Sequence, residues 1–126
     1  MKETVHTDDA PEAVGAYSQA TTNGEILFTA GQIPMTPDGE LLDDEDIATQ
    51  AEQSLSNLQA IVEEAGATMD DVLKTTVFLA DIGDFDEMND TYASFFDDEP
   101  PARSAVQAGA LPKGVGVEIE AVVSVE

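Results

Sequence analysis

Residues 115–126 alternate strictly in their side chains, and a period of two is the pattern of a β-strand. The apolar positions are Val115, Val117, Ile119, Ala121, Val123 and Val125. The intervening positions are Gly116, Glu118, Glu120, Val122, Ser124 and Glu126. One face of this strand must pack on a core. Val122 on the other face indicates that this second face is partly covered as well, as it would be by another subunit.

Residues 15–33 are predicted to form a β-hairpin, because Asn23-Gly24 tolerates the two positive φ angles of a type I′ turn. In this register Tyr17 pairs with Ala30 and lies beside Gly31. A glycine there lets the backbone approach a ligand without a side chain in the way. Gly31 is equally typical of an ordinary β-bulge, and the sequence does not separate the two interpretations.

A long helix is predicted from about Asp46 to Ala65, because its apolar residues recur at steps of three or four. Gly66 is a natural end for it. The acids in 43–46 suit the start of a helix, and their spacing does not match a calcium-binding EF-hand loop. Residues 72–80 follow as a strand rich in β-branched side chains.

A second helix is predicted to begin near Asp84, with Asp84 and Glu87 at the spacing of a capping box. Its apolar side consists of Phe85, Met88, Tyr92, Phe95 and Phe96. Residues 102–107 and 114–120 then form two strands, and symmetric pairing about the intervening loop brings Arg103 opposite Glu118. These elements predict one α+β domain over residues 1–126, with both helices on one face of a sheet. Oligomerisation would cover the other face.

The charge is strongly one-sided, with 27 acidic residues, four Lys or Arg and a net charge of −23. This excludes nucleic-acid and anionic membrane partners, which require clustered cations. The acids are spread along the chain, as on a surface adapted to concentrated salt. The chain contains no cysteine, no signal-like segment at its start and no apolar stretch long enough for a membrane span. A cytoplasmic protein is the resulting expectation.

The single arginine, Arg103, is the most informative polar residue. Its planar fork can hold a carboxylate by two hydrogen bonds, which lysine cannot reproduce. The alternative is an arginine that only pairs with a glutamate to join two strands. Tyr17, Gly31 and Glu118 complete the candidate site. Asn89 and Phe85 are possible wall residues.

Other catalytic arrangements are not available to this chain. The only histidine is His6, near the start, so there is no Ser–His–Asp set and no cluster of metal ligands. The remaining equipment is a carboxylate, a guanidinium, a phenol and backbone amides.

Motifs along nearly the whole chain resemble the Rid/YjgF family of reactive-intermediate (imine/enamine) deaminases. The first group is Gly15-Ala16-Tyr17-Ser18-Gln19-Ala20, Thr29-Ala30-Gly31-Gln32-Ile33-Pro34, Gln53-Ser54-Leu55-Ser56-Asn57-Leu58 and Lys74-Thr75-Thr76-Val77-Phe78-Leu79. The second group is Asn89-Asp90-Thr91-Tyr92, Pro101-Ala102-Arg103-Ser104, Leu111-Pro112-Lys113 and Val117-Glu118-Ile119-Glu120-Ala121.

The resemblance implies a chorismate-mutase-like fold of the bacillus type, assembled as a homotrimer around a β-barrel core with ligand clefts between subunits. It implies that Arg103 binds the substrate carboxylate, that Glu118 positions or activates water, and that Tyr17 and Gly31 line the cleft. The implied reaction is hydrolysis of 2-aminoacrylate, 2-iminobutyrate and related acids to 2-keto acids and ammonia. No cofactor or metal is implied.

Two positions depart from the family pattern: Ala105 replaces a common cysteine, and Ala30 replaces a common hydroxyl residue. Backbone groups can serve at both places, so Ala105 stays among the predicted substrate-binding residues. A non-catalytic trimer that binds small carboxylates or acts as a chaperone is the main alternative. Ribonuclease activity is disfavoured by the charge, and chorismate-mutase chemistry would rest on fold analogy alone.

Overall fold

The computed structural model describes residues 1–126, which form a six-stranded mixed sheet and two helices. The strands are β1 (Glu3–Val5), β2 (Ala20–Thr22), β3 (Ile26–Thr29), β4 (Val72–Leu79), β5 (Ala102–Gln107) and β6 (Val117–Ser124). The helices are α1 (Ile47–Glu64) and α2 (Phe85–Ala93). Neither helix has the length and apolar character needed to cross a bilayer.

The strands lie in the order β1-β2-β3-β6-β4-β5. All neighbours are antiparallel except β4 and β5. A parallel pair needs a crossover connection, and α2 lies in the segment that joins these two strands. The sheet stays open, with β1 and β5 at its edges. The single chain therefore has the predicted α+β sheet and helices, whereas the predicted barrel is not closed within it.

The helices and one face of the sheet enclose the core, as predicted. On β6, the buried residues are Val117, Ile119, Ala121 and Val123, which confirms the alternation in the sequence. Leu55, Leu58 and Ile61 of α1 are fully buried in the same cluster. Tyr92 of α2 packs there too, and its hydroxyl lies 2.7 Å from Thr75 Oγ1 of β4.

The first helix and the strand after it follow the prediction closely. Asp46 caps α1 by accepting a hydrogen bond of 2.8 Å from the Thr49 backbone N–H, and this bond lowers the pKa of the Asp46 carboxyl. Gly66, with φ of 89°, takes the left-handed conformation just after the helix.

The predicted capping box of the second helix is wrong. The helix does begin at Phe85, but the Asp84 side chain makes no capping hydrogen bond. A short 3₁₀ turn, Ile82–Asp84, leads into the helix, and Asp81 caps this turn by accepting from the Gly83 N–H. Because the backbone is already helical through this turn, α2 begins without a cap from the Asp84 side chain. The helix ends at Ala93, so the last two aromatic residues of the predicted stripe follow it.

The hairpin forms with a different turn and register. Thr22 pairs with Leu27, where the type I′ prediction would pair it with Glu25. The Asn23 side-chain oxygen accepts from the N–H groups of residues 25 and 26, which closes a longer loop in which only Gly24 has a positive φ. Tyr17 consequently lies outside the strands, and the predicted pair of Tyr17 with residue 30 does not form.

The predicted pairing of residues 102–107 with 114–120 is also wrong. β4 lies between β5 and β6, where Thr75 pairs with both Arg103 and Ala121, and Phe78 pairs with Glu118. β4 occupies the edge of β6 that the prediction assigned to β5. The crossover through α2 brings β5 to the outer edge of β4 in the parallel direction.

Candidate functional site

Glu118 lies beside a short bulged segment that continues from β3. The Gln32 N–H donates to the Ile119 carbonyl at 2.8 Å, and the Ile119 N–H donates to the Gln32 carbonyl at 3.1 Å. The next pair along is Phe28 with Val122. Between the two pairs the bulged segment has three residues, 29–31, whereas β6 has only two, 120 and 121. One extra residue against its partner strand defines a β-bulge, so this interpretation of Gly31 holds.

The bulge brings Gly31 against the Glu118 side chain. A Cβ atom added to Gly31 would lie 2.6 Å from Glu118 Oε2 and 2.8 Å from Cδ. Glycine therefore makes room for a carboxylate of the same chain. The sequence predicts that a ligand approaches the backbone at Gly31, and the group that the structure places there is the Glu118 side chain.

Glu118 and Gly31 line a cleft of about 560 Å³ that also contains Tyr17. Tyr17 is 55% exposed and stands at the wall formed by the N-terminal loop. The remaining lining residues are Pro11, Glu12, Val14, Gln19, Gln32, Ile33, Met35, Pro112 and Lys113. Three predicted site residues thus meet in one cavity large enough for a small organic acid.

Burial raises the pKa of the Glu118 carboxyl above its ordinary value, and the nearby Glu120 raises it further. The Glu118 side chain forms neither a hydrogen bond nor an ion pair with other residues of the chain. A carboxylate with a raised pKa is a stronger base, so it can accept a proton from a bound water more readily than an exposed carboxylate can.

Arg103 is held by neutral groups. Its Nη1 donates to Asn89 Oδ1 at 2.6 Å, and its guanidinium carbon lies 5.1 Å from the ring centre of Phe85 and 4.7 Å from that of Tyr92. No carboxylate lies within ion-pair distance of it. The alternative of an arginine that pairs with a glutamate to join two strands is therefore wrong, and most of its donors stay free.

A second cavity, of about 340 Å³, opens over this guanidinium, between α2 and the segment that leads into β5. Its lining includes Asn89, Tyr92, Pro100, Pro101 and Arg103. Ala105 follows two residues further along β5 on the same side of the strand, since it pairs with the buried Val77.

Within one chain Arg103 and Glu118 lie on opposite faces of the sheet. Arg103 is level with Thr75, which is buried on the helix face. Glu118 is level with Phe78 and alternates with the buried residues of β6, so it belongs to the open face. The structure thus brings Tyr17, Gly31 and Glu118 together, and separately the set around Arg103, but it does not unite the two sets.

Comparison with known proteins matches the family model described as Endoribonuclease L-PSP to residues 7–125. A 2-iminobutanoate/2-iminopropanoate deaminase of Escherichia coli K12 is 47% identical over 126 residues, which cover 97% of each chain. YyfA of Yersinia pestis, a solved structure of the Rid protein family, has a TM-score of 0.94 and 43% identity, over 98% of this chain and 99% of that one. The chain belongs to the Rid/YjgF family.

Another solved structure of similar fold is Escherichia coli TdcF with bound serine, which has a TM-score of 0.92 and 43% identity. The match covers 97% of this chain and 98% of that chain. Names within the Rid/YjgF family range from endoribonuclease to imine deaminase. Membership therefore establishes the fold, and the reaction must be argued from the site.

Two residues near the site were missed by sequence reasoning. The sequence places Tyr92 only on the apolar side of the second helix, although Phe85, Asn89 and Tyr92 recur at helical steps of four and three and so share one side of α2. Lys113 lines the Glu118 cleft and has a φ of 58°, which is uncommon for a residue other than glycine. Nothing in the sequence pattern marked that backbone conformation.

Replacing Gly31 with alanine should reduce turnover more than stability. The new Cβ meets the end of a flexible side chain, so the fold can adjust by moving the Glu118 carboxylate. A displacement of about 1 Å at a catalytic group can cost roughly 100-fold in rate. Gly109→Ala is the matched control, because a Cβ at Gly109 meets nothing within 4 Å. Kinetics on the substrate proposed below and thermal unfolding of both variants test this, and a Gly31→Ala variant at wild-type rate would contradict it.

Proposed function

We propose that this protein hydrolyses small imine and enamine acids, such as 2-iminobutyrate and 2-aminoacrylate, to 2-keto acids and ammonia. The observation that carries the proposal is the free guanidinium of Arg103, which is held by an amide and two rings and not by a carboxylate. Such a group is ready to bind a substrate carboxylate by two parallel hydrogen bonds. The 47% identity to a protein named as such a deaminase supports the same reaction.

The reaction requires little from the protein beyond the positioning of the substrate, a water molecule and a proton acceptor. In the imine form the carbon is already electrophilic, so water attacks it as Glu118 takes one proton from that water. The C–O bond forms, and the C=N electron pair moves to nitrogen. Glu118 then gives its proton to the nitrogen, which completes an amino alcohol. Glu118 next moves the hydroxyl proton to the nitrogen, so that the C–N bond breaks as ammonia leaves and the C–O bond becomes the C=O bond of the keto acid. An enamine first takes up a proton at carbon to become the imine.

The complete site in this proposal lies between subunits of a homotrimer. A carboxylate anchored by Arg103 and water held by Glu118 must meet at one substrate, yet the two residues lie on opposite faces of the sheet in one chain. The open face also carries exposed apolar side chains, including Phe28 at 57% and Val106 at 44% exposure. Burying these against neighbouring sheets would form the barrel core and place each Arg103 against the Glu118 cleft of the next chain.

A direct assay tests the reaction. An amino-acid oxidase or dehydratase generates 2-iminobutyrate or 2-aminoacrylate in situ, and the decay of the intermediate is followed in high salt with and without the protein. We expect faster decay and an equal gain of 2-keto acid and ammonia. Unchanged decay at stoichiometric protein would overturn the proposed reaction.

Binding without turnover is the second candidate. The observation in its favour is the serine bound to TdcF, a relative with the same fold. Calorimetry with serine or 2-ketobutyrate, run beside the decay assay, distinguishes the two. Binding that depends on Arg103 in a protein that leaves imine decay unchanged would favour a carboxylate-binding module.

Assembly of the proposed trimer should depend on salt. The chain carries 27 acids, and none of its Lys or Arg residues forms an ion pair that offsets them. The Debye length is about 30 Å at 0.01 M and about 3 Å at 1 M, so repulsion between subunits is screened only in concentrated salt. Light scattering on a sizing column, from molar to millimolar potassium chloride, should show dissociation together with loss of activity. An active monomer would contradict the shared cleft, and a trimer that persists in millimolar salt would contradict the screening argument.

A further inference from the structure

Asn57 is a fully buried polar residue of α1, within the segment Gln53–Leu58. Its Nδ2 donates to the Met35 carbonyl at 2.9 Å and to the Ile33 carbonyl at 3.3 Å. Its Oδ1 accepts from Gln53 Nε2 at 2.9 Å. Both amide hydrogens of Asn57 are therefore used on one loop of the chain.

That loop is the wall of the Glu118 cleft. Ile33 and Met35 line the cavity, and Gly31 at the other end of the segment contacts the Glu118 carboxylate. The segment is not a regular strand: the bridge between Gln32 and Ile119 holds one end of it to β6. Asn57 holds the other end through the carbonyls of Ile33 and Met35.

The helix that carries Asn57 is a firm support. Its neighbour Leu58 and the preceding Leu55 are fully or almost fully buried against the sheet, so α1 cannot shift without opening the core. Two hydrogen bonds from this helix fix the position of the segment relative to β6.

We propose that Asn57 is a positioning residue, which holds the 31–35 segment against Glu118 and so keeps this carboxylate oriented and partly dehydrated for the proposed hydrolysis. This inference rests on the proposed function. The charged groups that face Glu118 are Glu120 on its own strand and Glu12 and Lys113 across the cleft. On β4 its neighbour is the uncharged Phe78. A neutral substitution at Asn57 leaves all these charges in place.

The test compares Asn57→Leu with Gln50→Met, a matched control on the same helix. Gln50 is also buried, donates to two loop carbonyls, of residues 43 and 45, and accepts from the Gly116 N–H. None of these partners lines the cleft. Each substitution removes three hydrogen bonds and keeps the side chain neutral and of similar size.

We expect both variants to lose stability in denaturant, and only Asn57→Leu to change the site. Its kcat should fall about 10- to 100-fold, because the carboxylate is misplaced. The pKa of Glu118, followed by carboxyl NMR titration of the full-length protein, should fall toward that of an ordinary glutamate as water gains access. The acidic limb of the kcat–pH profile should move to lower pH with it.

Two results would overturn the inference: an unchanged Glu118 pKa in folded Asn57→Leu, or an equal change in Gln50→Met. If Asn57→Leu does not fold, Asn57→Ser replaces it, since one hydroxyl can donate to only one of the two carbonyls and should give a smaller shift. The NMR titration needs no activity. Failure of the wild-type protein to hydrolyse imines would therefore overturn the proposed function without deciding the role of Asn57.

Discussion

Glu118→Gln should lower turnover by about 10²–10⁴-fold while changing ligand affinity far less. Glutamine keeps the shape of the side chain beside Gly31, but it cannot take a proton from water. Glu120→Gln is the matched control, because Glu120 shares the strand and the open face but is exposed. Kinetics on 2-iminobutyrate and calorimetry with 2-ketobutyrate separate rate from binding. Equal activity of wild type and Glu118→Gln would move the proton transfer elsewhere, and a loss confined to Glu120→Gln would assign it to Glu120.

The same substitution should stabilise the fold at neutral pH. Burial raises the pKa of Glu118, so between its ordinary and its raised value the folded state binds more protons than the unfolded state. Stability therefore falls as pH rises through that window. Glu118→Gln lacks this pH dependence. The variant should therefore be more stable than the wild type above this pH window and equally stable below it. Chemical denaturation at several pH values measures the difference, and a less stable variant at neutral pH would contradict the assignment of a raised pKa.

The periodic parts of the fold could be predicted from the sequence, because burial imposes its period directly. The alternation in β6 and the apolar stripe of α1 each require a core on one side, and the structure has that core. The partner of a strand is not encoded in this way. β5 has apolar side chains that suit either neighbour, and the α2 crossover decides that it pairs with β4. The hairpin turn depends on hydrogen bonds that the Asn23 side-chain oxygen accepts from the N–H groups of residues 25 and 26. These hydrogen bonds compete with the type I′ geometry.

The candidate site was also predictable in part: its residues could be named from the sequence, but their arrangement could not. Arg103 could be identified by residue type, because it is the single arginine of an acidic chain, whereas Glu118, Tyr17 and Gly31 were chosen through the predicted strand pairings and the family resemblance. Their mutual arrangement depended on the incorrect pairing of β5 with β6, which would have placed Arg103 opposite Glu118. The buried amide of Asn57 could not be identified at all, since a polar residue on an amphipathic helix gives no sign of which distant carbonyls it reaches.

Arg103→Lys should lower the affinity for carboxylated ligands and the turnover about 100-fold or more, although the charge is kept. An ammonium cannot reproduce the planar fork that Asn89 and the two rings of α2 hold in place. Loss of a partner from a buried charged contact costs on the order of 2–5 kcal/mol. Asn89→Ala is a useful companion, because it keeps the guanidinium and removes its only hydrogen bond within the chain. Wild-type kinetics in Arg103→Lys would exclude the anchor role.

Mixed trimers of Arg103→Lys and Glu118→Gln chains should regain activity that neither variant has alone. If each cleft takes Arg103 from one chain and Glu118 from the next, random assortment of equal amounts leaves about a quarter of the clefts with both native residues. Coexpression with two different affinity tags isolates the mixed species in high salt. A site built within one chain predicts no recovery, because every chain then lacks one of the two groups. Each mixed trimer contains one such cleft among its three. Recovery of the isolated mixed species to about a third of the wild-type rate would therefore establish both the shared cleft and the joint action of the two residues, which one chain keeps on opposite faces of its sheet.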